Sequence, residues 1–391
     1  MTLACIDDFR SQARRRLPRF LFDYIDGGSY GEVTMRRNVA DLERLPLRQR
    51  VLRDVSDIRL DTILLGRRSS LPVALAPIGL AGLYARRGEV QAARAAEAAG
   101  VPFILSASAC CAIEEVAPAV AQPLLFQLYM IKDRPFMEAM LERVRVAGVE
   151  TLVLTVDLIV HSPRYRDMRS TLTGDQGLGA RLTRMIEIAR RPRWAWDVGV
   201  RGGPHVLGNF APAMPDGAGL AQFTAWVSRN FDPSVGWDDI AWIRERWKGP
   251  LVLKGILDPA DARRACEVGA SAIVVSNHGG RQLDGAPSAI GALPAVADAV
   301  GGKVELLMDG GIRSGLDVLR ALASGANGVL LGRAWAFALA ASGGSGVCRM
   351  LELLRQELFV AMALTGHNRI ADIGPEAVLA RLPNDLTTRT G

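Results

Sequence analysis

Residues 272–285 read AIVVSNHGGRQLDG. Four apolar residues, three of them β-branched, run without polar alternation into a loop that carries His278, two glycines and Arg281. An uninterrupted apolar run is the form taken by a strand buried on both faces, and such strands belong to parallel sheets. The chain has four histidines, and one stands where a strand hands over to its loop, three residues before an arginine. An imidazole and a guanidinium placed there can hold an anion and move its proton.

The same form recurs along the chain. Strand-like runs lie at 73–76, 103–106, 125–129, 152–156, 251–254, 272–276, 305–309 and 328–331, and helical patterns separate them, among others at 89–99, 135–146, 259–268 and 315–323. Gly100, Gly148, Gly269 and Gly325 follow those four helices, and glycine there is a helix stop. Eight alternations of this kind predict an α/β fold, a closed (β/α)8 TIM barrel with its site on the loops at the C-terminal ends of the strands. The chain reads as one domain over residues 1–391, with the barrel at about 71–341. An N-terminal helical segment precedes it, an insertion of about 165–236 follows the fourth strand, and a helical tail ends it.

Composition supports a folded enzyme-sized protein: 391 residues, 49% hydrophobic and 23% charged, with a net charge of +6. That charge suits an anionic substrate, a phosphate-bearing cofactor or an acidic surface, and no nucleic-acid-binding signature accompanies it. Cys5, Cys110, Cys111, Cys266 and Cys348 show no paired spacing, so neither a metal site nor a disulfide framework is expected, and a reducing cytoplasm fits. Asp7, Asp8 and Arg10 precede any apolar stretch, unlike a secretory signal. The apolar stretch from Pro72 to Ala85 is broken by proline and glycine and too short to span a bilayer, so membrane contact would be peripheral.

Polar groups gather at the predicted strand ends: Ala76-Pro77, Ser106, Gln127 and Tyr129, Thr155 and Asp157, Lys254, Ser276 to Arg281, Asp309-Gly310-Gly311 and Gly332-Arg333. The last two strands end in DGGIRS and LGR, each leading into a helix, a pattern that cradles phosphate with backbone amides and arginines. Lys254 could form a Schiff base, pair with a carboxylate, or set positive charge beside an electron-rich cofactor ring. His278 can accept a proton, with Asp157 holding its tautomer. Arg281 and Arg164 can grip a carboxylate by paired hydrogen bonds.

The whole chain resembles the FMN-dependent 2-hydroxy acid oxidase and dehydrogenase family, with SNHGGRQLDG close to the family signature and the pattern holding from Tyr24 to Arg333. The resemblance implies FMN as cofactor. It puts the backbone of Ala76, Pro77 and Ile78 against the flavin ring, and Ser106, Gln127 and Thr155 on its polar edge. Lys254 would face N1, with Ser276 in the same group, and Asp309, Gly310, Gly311, Arg313, Gly332 and Arg333 would hold the ribityl phosphate. It makes His278 the base, with Asp157 behind it, Arg164 and Arg281 the carboxylate grip, and Tyr24 and Tyr129 contacts to carboxylate or hydroxyl.

Within the family the chain is most similar to the bacterial quinone-linked L-lactate dehydrogenases, in stretches such as WAWDVG at 194–199, ARRGEV at 85–90 and KGILDP at 254–259. That implies an L-2-hydroxy acid substrate, lactate favoured, a quinone or other electron acceptor, and a homo-oligomer, with tetramers usual in the family. Two segments depart. His161 stands in LIVHSP after the strand-four aspartate and could line the substrate pocket, and SASACC at 106–111 places small residues nearby. These keep open (S)-mandelate or another larger 2-hydroxy acid, with dehydrogenase or oxidase chemistry, and an FMN barrel acting on a peptide-like substrate. Gly79, where the oxidases tend to have alanine, favours a dehydrogenase. In the insertion, Leu178, Leu182, Met185, Ile186 and Ala189 follow helical spacing among arginines, with Trp194 and Trp196 just after. A basic amphipathic helix with indoles suits a bilayer interface, so 178–196 is expected either to contact the cytoplasmic face of the inner membrane or to pack on the barrel or a neighbouring subunit.

Overall fold

The computed structural model describes residues 2–170, 177–215 and 217–379. The two ends of the predicted domain, and residues 171–176 and 216 of the predicted insertion, lie outside them. Three helices come first, α1 (Ile6–Arg16), α2 (Arg19–Asp26) and α3 (Val33–Glu43), then a hairpin of β1 (Thr62–Leu64) and β2 (Arg67–Ser69). Eight parallel strands follow: β3 (Val73–Leu75), β4 (Ile104–Ser106), β5 (Leu125–Tyr129), β6 (Thr151–Thr155), β7 (Leu251–Ile256), β8 (Ala272–Val275), β9 (Glu305–Met308) and β10 (Gly328–Leu331). Their order around the sheet is β3-β10-β9-β8-β7-β6-β5-β4, and a parallel bridge between Leu75 and Phe103 brings its ends together. The fold is the predicted (β/α)8 barrel, with each strand within two residues of its apolar run.

Two apolar layers hold it. Ala74, Ile104, Leu125, Val153, Val252, Val274, Leu307 and Leu330 fill the lumen, and Leu64 and Leu65 of the hairpin join them. The Leu65 amide donates to Glu305 at 2.8 Å, so the hairpin plugs the N-terminal end and the functional groups collect at the other. The second layer lies between strands and helices. There Trp335, fully buried, sets its ring edge-on to Phe103 at 6.1 Å and donates Nε1 to the Ala76 carbonyl at 3.1 Å. It therefore fastens the C-terminal helical segment (Arg333–Thr365) to the place where the sheet closes.

The insertion leaves the barrel between β6 and β7. Its helix Leu178–Ala189 buries Ala180 and exposes Leu178, Leu182, Met185 and Ile186. The two indoles part company. Trp196 is 61% exposed, whereas Trp194 is buried, its Nε1 donating to the Leu83 carbonyl at 2.8 Å and its ring meeting Phe20 at 6.5 Å. Trp194 is thus a barrel contact rather than an interfacial anchor, because a buried N–H must find an acceptor and Leu83 provides one. Among the described residues no helix is long and apolar enough to cross a membrane.

Trp335→Ala should cost about 3–5 kcal/mol, the range for emptying a large aromatic site. Urea unfolding followed by circular dichroism measures it, and a loss under about 1 kcal/mol would contradict the role assigned to this ring.

Candidate active site

Strand register sets the site's first rows. Ser106 pairs with Gln127, and Tyr129, Thr155 and Lys254 lie side by side across β5, β6 and β7. Ser106 donates to Gln127 Oε1 at 2.9 Å, and the fully buried Gln127 Nε2 has no partner. A buried amide donor left open calls for an acceptor from something bound there. Lys254, also buried, donates to Ser276 Oγ at 2.8 Å and pairs with Asp309 Oδ2 at 2.7 Å. Ser276 in turn donates to Asp309 Oδ1 at 2.5 Å and accepts the His278 amide at 3.0 Å. Asp309 therefore faces a lysine. A carboxylate so placed can accept a hydroxyl, while phosphate oxygens need the cations beyond it.

His278 sits at φ +57°, a left-handed conformation unusual for a side chain larger than glycine, and Gly279 and Gly280 continue the turn at +65° and +73°. The turn is fixed from outside. Asn277 and Asn38 of α3 exchange side-chain hydrogen bonds at 2.7 and 2.8 Å, and Asn277 Oδ1 also takes the Gly280 amide at 3.0 Å. A side chain on Gly280 would collide with the Met35 backbone. The ring reaches Asp157 Oδ1 with Nδ1 at 2.9 Å. Since a carboxylate only accepts, Nδ1 is the donor of this pair, and Nε2 is the ring nitrogen left to face a substrate. Burial pushes the Asp157 carboxyl up, but the charge and hydrogen bond of His278, with Lys254 behind, overcome it and hold the group below the usual carboxylate range.

Asp157 finds room through a neighbour. The β7–β8 register shifts between Lys254 and Ile256, and Gly255 between them has φ +111°. A Cβ on Gly255 would lie 2.6 Å from Asp157 Cβ. Gln282 braces the same segment, donating Nε2 to the carbonyls of Asp157 at 2.9 Å and Val160 at 3.1 Å.

Two guanidinium groups meet at Tyr24. Arg281 lies 4.8 Å and Arg164 5.9 Å from its ring centre. Burial, and then the charge of Arg281, push Arg164 down from its ordinary value, and Arg164 Nε is buried without a partner. Two cations enclosed together suit a carboxylate. Tyr129 packs its edge on Phe231 at 5.6 Å, and His161 packs on the same ring at 4.8 Å. Burial raises the Tyr129 phenol well above its usual value, with Asp157 nearby adding to it, so it stays a neutral donor. Burial and Arg164 lower the His161 imidazole.

At the far end, Gly310 and Gly311 adopt φ +94° and +92°. Arg313 donates to its own Ile312 carbonyl at 2.8 Å, and Arg333 to the carbonyls of Ile25, Gly27 and Gly279 at 3.0, 2.7 and 2.8 Å. Burial depresses both guanidinium groups, Arg333 strongly, and outweighs the more distant carboxylates such as Asp26. The two strand-end helices differ. The amides of Arg313, Gly315 and Asp317 are already taken by Asp317, Glu357 and Ser314, whereas the helix beginning at Arg333 has no side-chain cap and Gly332 opens on free space. The open Gln127 amide, the buried lysine and the enclosed arginines fit a flavin with a phosphate tail.

The sequence singled out neither Asn38, Asn277, Gln282 nor Phe231, whose roles depend on contacts between distant segments. Gly255 did carry a signal, a glycine inside a strand pattern, which marks a bulge or a close approach.

Fold and site together define a flavin-binding barrel built to hold a small carboxylate beside a base. Residues 13–380 match the FMN-dependent dehydrogenase family, and the chain belongs to that family. It is 56% identical over 383 residues to an L-lactate dehydrogenase of Caulobacter vibrioides, covering 98% of this chain and 99% of the relative. It is 57% identical over 378 residues to an L-lactate dehydrogenase of Xanthomonas axonopodis pv. citri, covering 97% of each. Among solved structures it is similar to the monotopic membrane protein (S)-mandelate dehydrogenase, with a TM-score of 0.91 and 34% identity over 97% of this chain and 100% of that one. It is also similar to mandelate oxidase, with a TM-score of 0.82 and 36% identity over 97% and 99%.

Gly255→Ala should displace Asp157 and slow flavin reduction at least about tenfold while FMN stays bound. Stopped-flow absorbance measures the rate, and an unchanged rate would show that Asp157 does not depend on the missing side chain.

Proposed function

We propose that this protein oxidises an L-2-hydroxy acid, L-lactate before others, to the 2-keto acid, and passes the electrons to a quinone-type acceptor. Arg164 and Arg281, enclosed together at Tyr24 beside a carboxylate-held histidine, carry this reading. Ser106, Gln127, Thr155 and Lys254, with the backbone of Ala76 to Ile78, would hold the flavin head of FMN; Gly310, Gly311, Arg313, Gly332 and Arg333 would hold its phosphate. FMN, when bound, supplies the two-electron acceptor and the relay to quinone.

The chain's own groups do the rest. The two arginines bind the substrate carboxylate, Tyr24 and Tyr129 add phenol hydroxyls, and His278 Nε2 takes the proton released at the substrate's C2 end. Asp157 holds the Nδ1–H tautomer beforehand and stabilises the imidazolium afterwards. Lactate is supported by the relatives' names and near-complete coverage. Peripheral contact with the cytoplasmic face of the membrane, where quinone is available, is supported by the exposed Leu178, Leu182, Met185, Ile186 and Trp196. The chain would act as one domain over its whole length and assemble as a homo-oligomer, the latter on family resemblance alone.

A second reading is a larger acid such as (S)-mandelate. It is favoured by the mandelate enzymes among similar structures and by the His161–Phe231 pair beside Tyr129. A kcat/KM for (S)-mandelate above that for L-lactate would establish it.

His278→Gln should retain FMN yet reduce it about 10²–10⁴-fold more slowly, the usual worth of a positioned base; substantial retained reduction in stopped flow would remove His278 from that role. Leu182→Asp with Met185→Asp should abolish flotation with anionic vesicles and leave the reduction rate intact. Undiminished flotation would exclude the helix as the contact.

A further inference from the structure

Arg281 and Arg333 come from different strand ends, after β8 and after β10, yet their guanidinium groups meet on the last turn of α2. Arg281 Nη1 donates to the carbonyl oxygens of Tyr24 at 2.6 Å and Gly27 at 3.0 Å. Arg333 donates from Nε to Ile25 at 3.0 Å and from Nη2 to Gly27 at 2.7 Å. The Gly27 carbonyl therefore serves both. The last carbonyls of a helix lack intrahelical partners and carry partial negative charge, so guanidinium groups satisfy them well. Arg281 therefore depends on that turn for its placement, and Arg333 on the turn together with the Gly279 carbonyl at 2.8 Å.

Asp26 fixes the turn. Its carboxylate is 5% exposed and accepts from Arg10 Nε and Nη2 at 2.5 and 2.9 Å and from Arg166 Nη1 at 2.6 Å. Arg166 continues to Glu32 at 2.5 Å, and the other Glu32 oxygen takes the Gly28 amide at 3.0 Å. Arg166 lies two residues beyond Arg164 in the segment after β6. The hydrogen bonds of Asp26 run to α1 and to the segment after β6, away from the reacting groups. Gly27 and Gly28 look like a helix stop in the sequence, yet Gly27 has no left-handed φ. A Cβ there would lie 2.6 Å from the Asp23 carbonyl, and one on Gly28 would lie 2.8 Å from that of Gly280. Gly28 thereby lets the turn approach the loop that carries His278.

We infer that Asp26 is a positioning residue that couples the two binding tasks of the site: by setting the α2 turn beneath Arg281 and Arg333, it makes grip on the substrate carboxylate and affinity for FMN rise and fall together. The inference rests on the roles proposed above for those two arginines.

The test uses holoenzyme carrying Asp26→Asn or Asp26→Glu, with Glu305→Gln at the plugged end of the barrel as a control for general loss of stability. FMN affinity is read from flavin fluorescence, and KM and kcat for L-lactate at saturating FMN. Asp26→Asn should raise the FMN Kd and the KM each about tenfold while kcat stays within about threefold. Asp26→Glu should recover part of both, and Glu305→Gln should move neither, even where its Tm falls as far. A change in only one constant, or in neither, overturns the inference, as does an equal change in the control. If Asp26→Asn does not fold, Arg10→Gln removes one of its partners and should shift both constants in the same direction. A wild-type enzyme that binds FMN but is not reduced by L-lactate defeats the functional proposal alone; pyruvate binding by calorimetry then replaces KM, with the same two outcomes.

Discussion

The hydrogen bond between Asp157 and His278 joins groups delivered by β6 and β8, two strands that do not touch because β7 lies between them. Much of the surrounding geometry follows from making that bond. Gly255 on β7 leaves out a side chain so that Asp157 can occupy its place. His278 accepts a left-handed backbone, and the Asn38–Asn277 pair ties the resulting turn to α3. Strain of this kind persists only where surrounding contacts over-determine it, and here the helices before the barrel provide those contacts. The N-terminal segment is therefore part of the site's framework.

Charge is the second constraint. Lys254 is neutralised by Asp309, Arg333 and Arg281 rest largely on backbone carbonyls, and Arg164 and Arg313 are pushed down by burial. Carbonyls orient a guanidinium without cancelling its charge. Even with Asp167 3.7 Å from Arg164, cations outnumber carboxylates around Tyr24 and Gly27, an excess that suits a carboxylate and a phosphate monoester. Enclosed cations of this kind favour small anions strongly, because low surrounding polarity strengthens each interaction.

The barrel was legible in the sequence because the buried strands are predominantly apolar runs and several helices end at a glycine, both local signals. Groups at strand ends, His278, Asp157, Lys254 and Gln127 among them, were legible for the same reason: once a strand is located, its last residues are placed. Contacts made across long separations left no such mark. Asp26 resembles any acid at a helix end until Arg10 and Arg166 close on it, and Trp194 reads as an interfacial indole until Leu83 takes its N–H. Periodicity describes one element at a time, whereas these residues owe their roles to a second element.

The account stands most directly on anaerobic titration of the FMN-loaded protein with L-lactate, followed by loss of the oxidised flavin absorbance. It predicts stoichiometric bleaching with pyruvate as product. A bound flavin left oxidised by L-lactate and by every larger 2-hydroxy acid tried would contradict it.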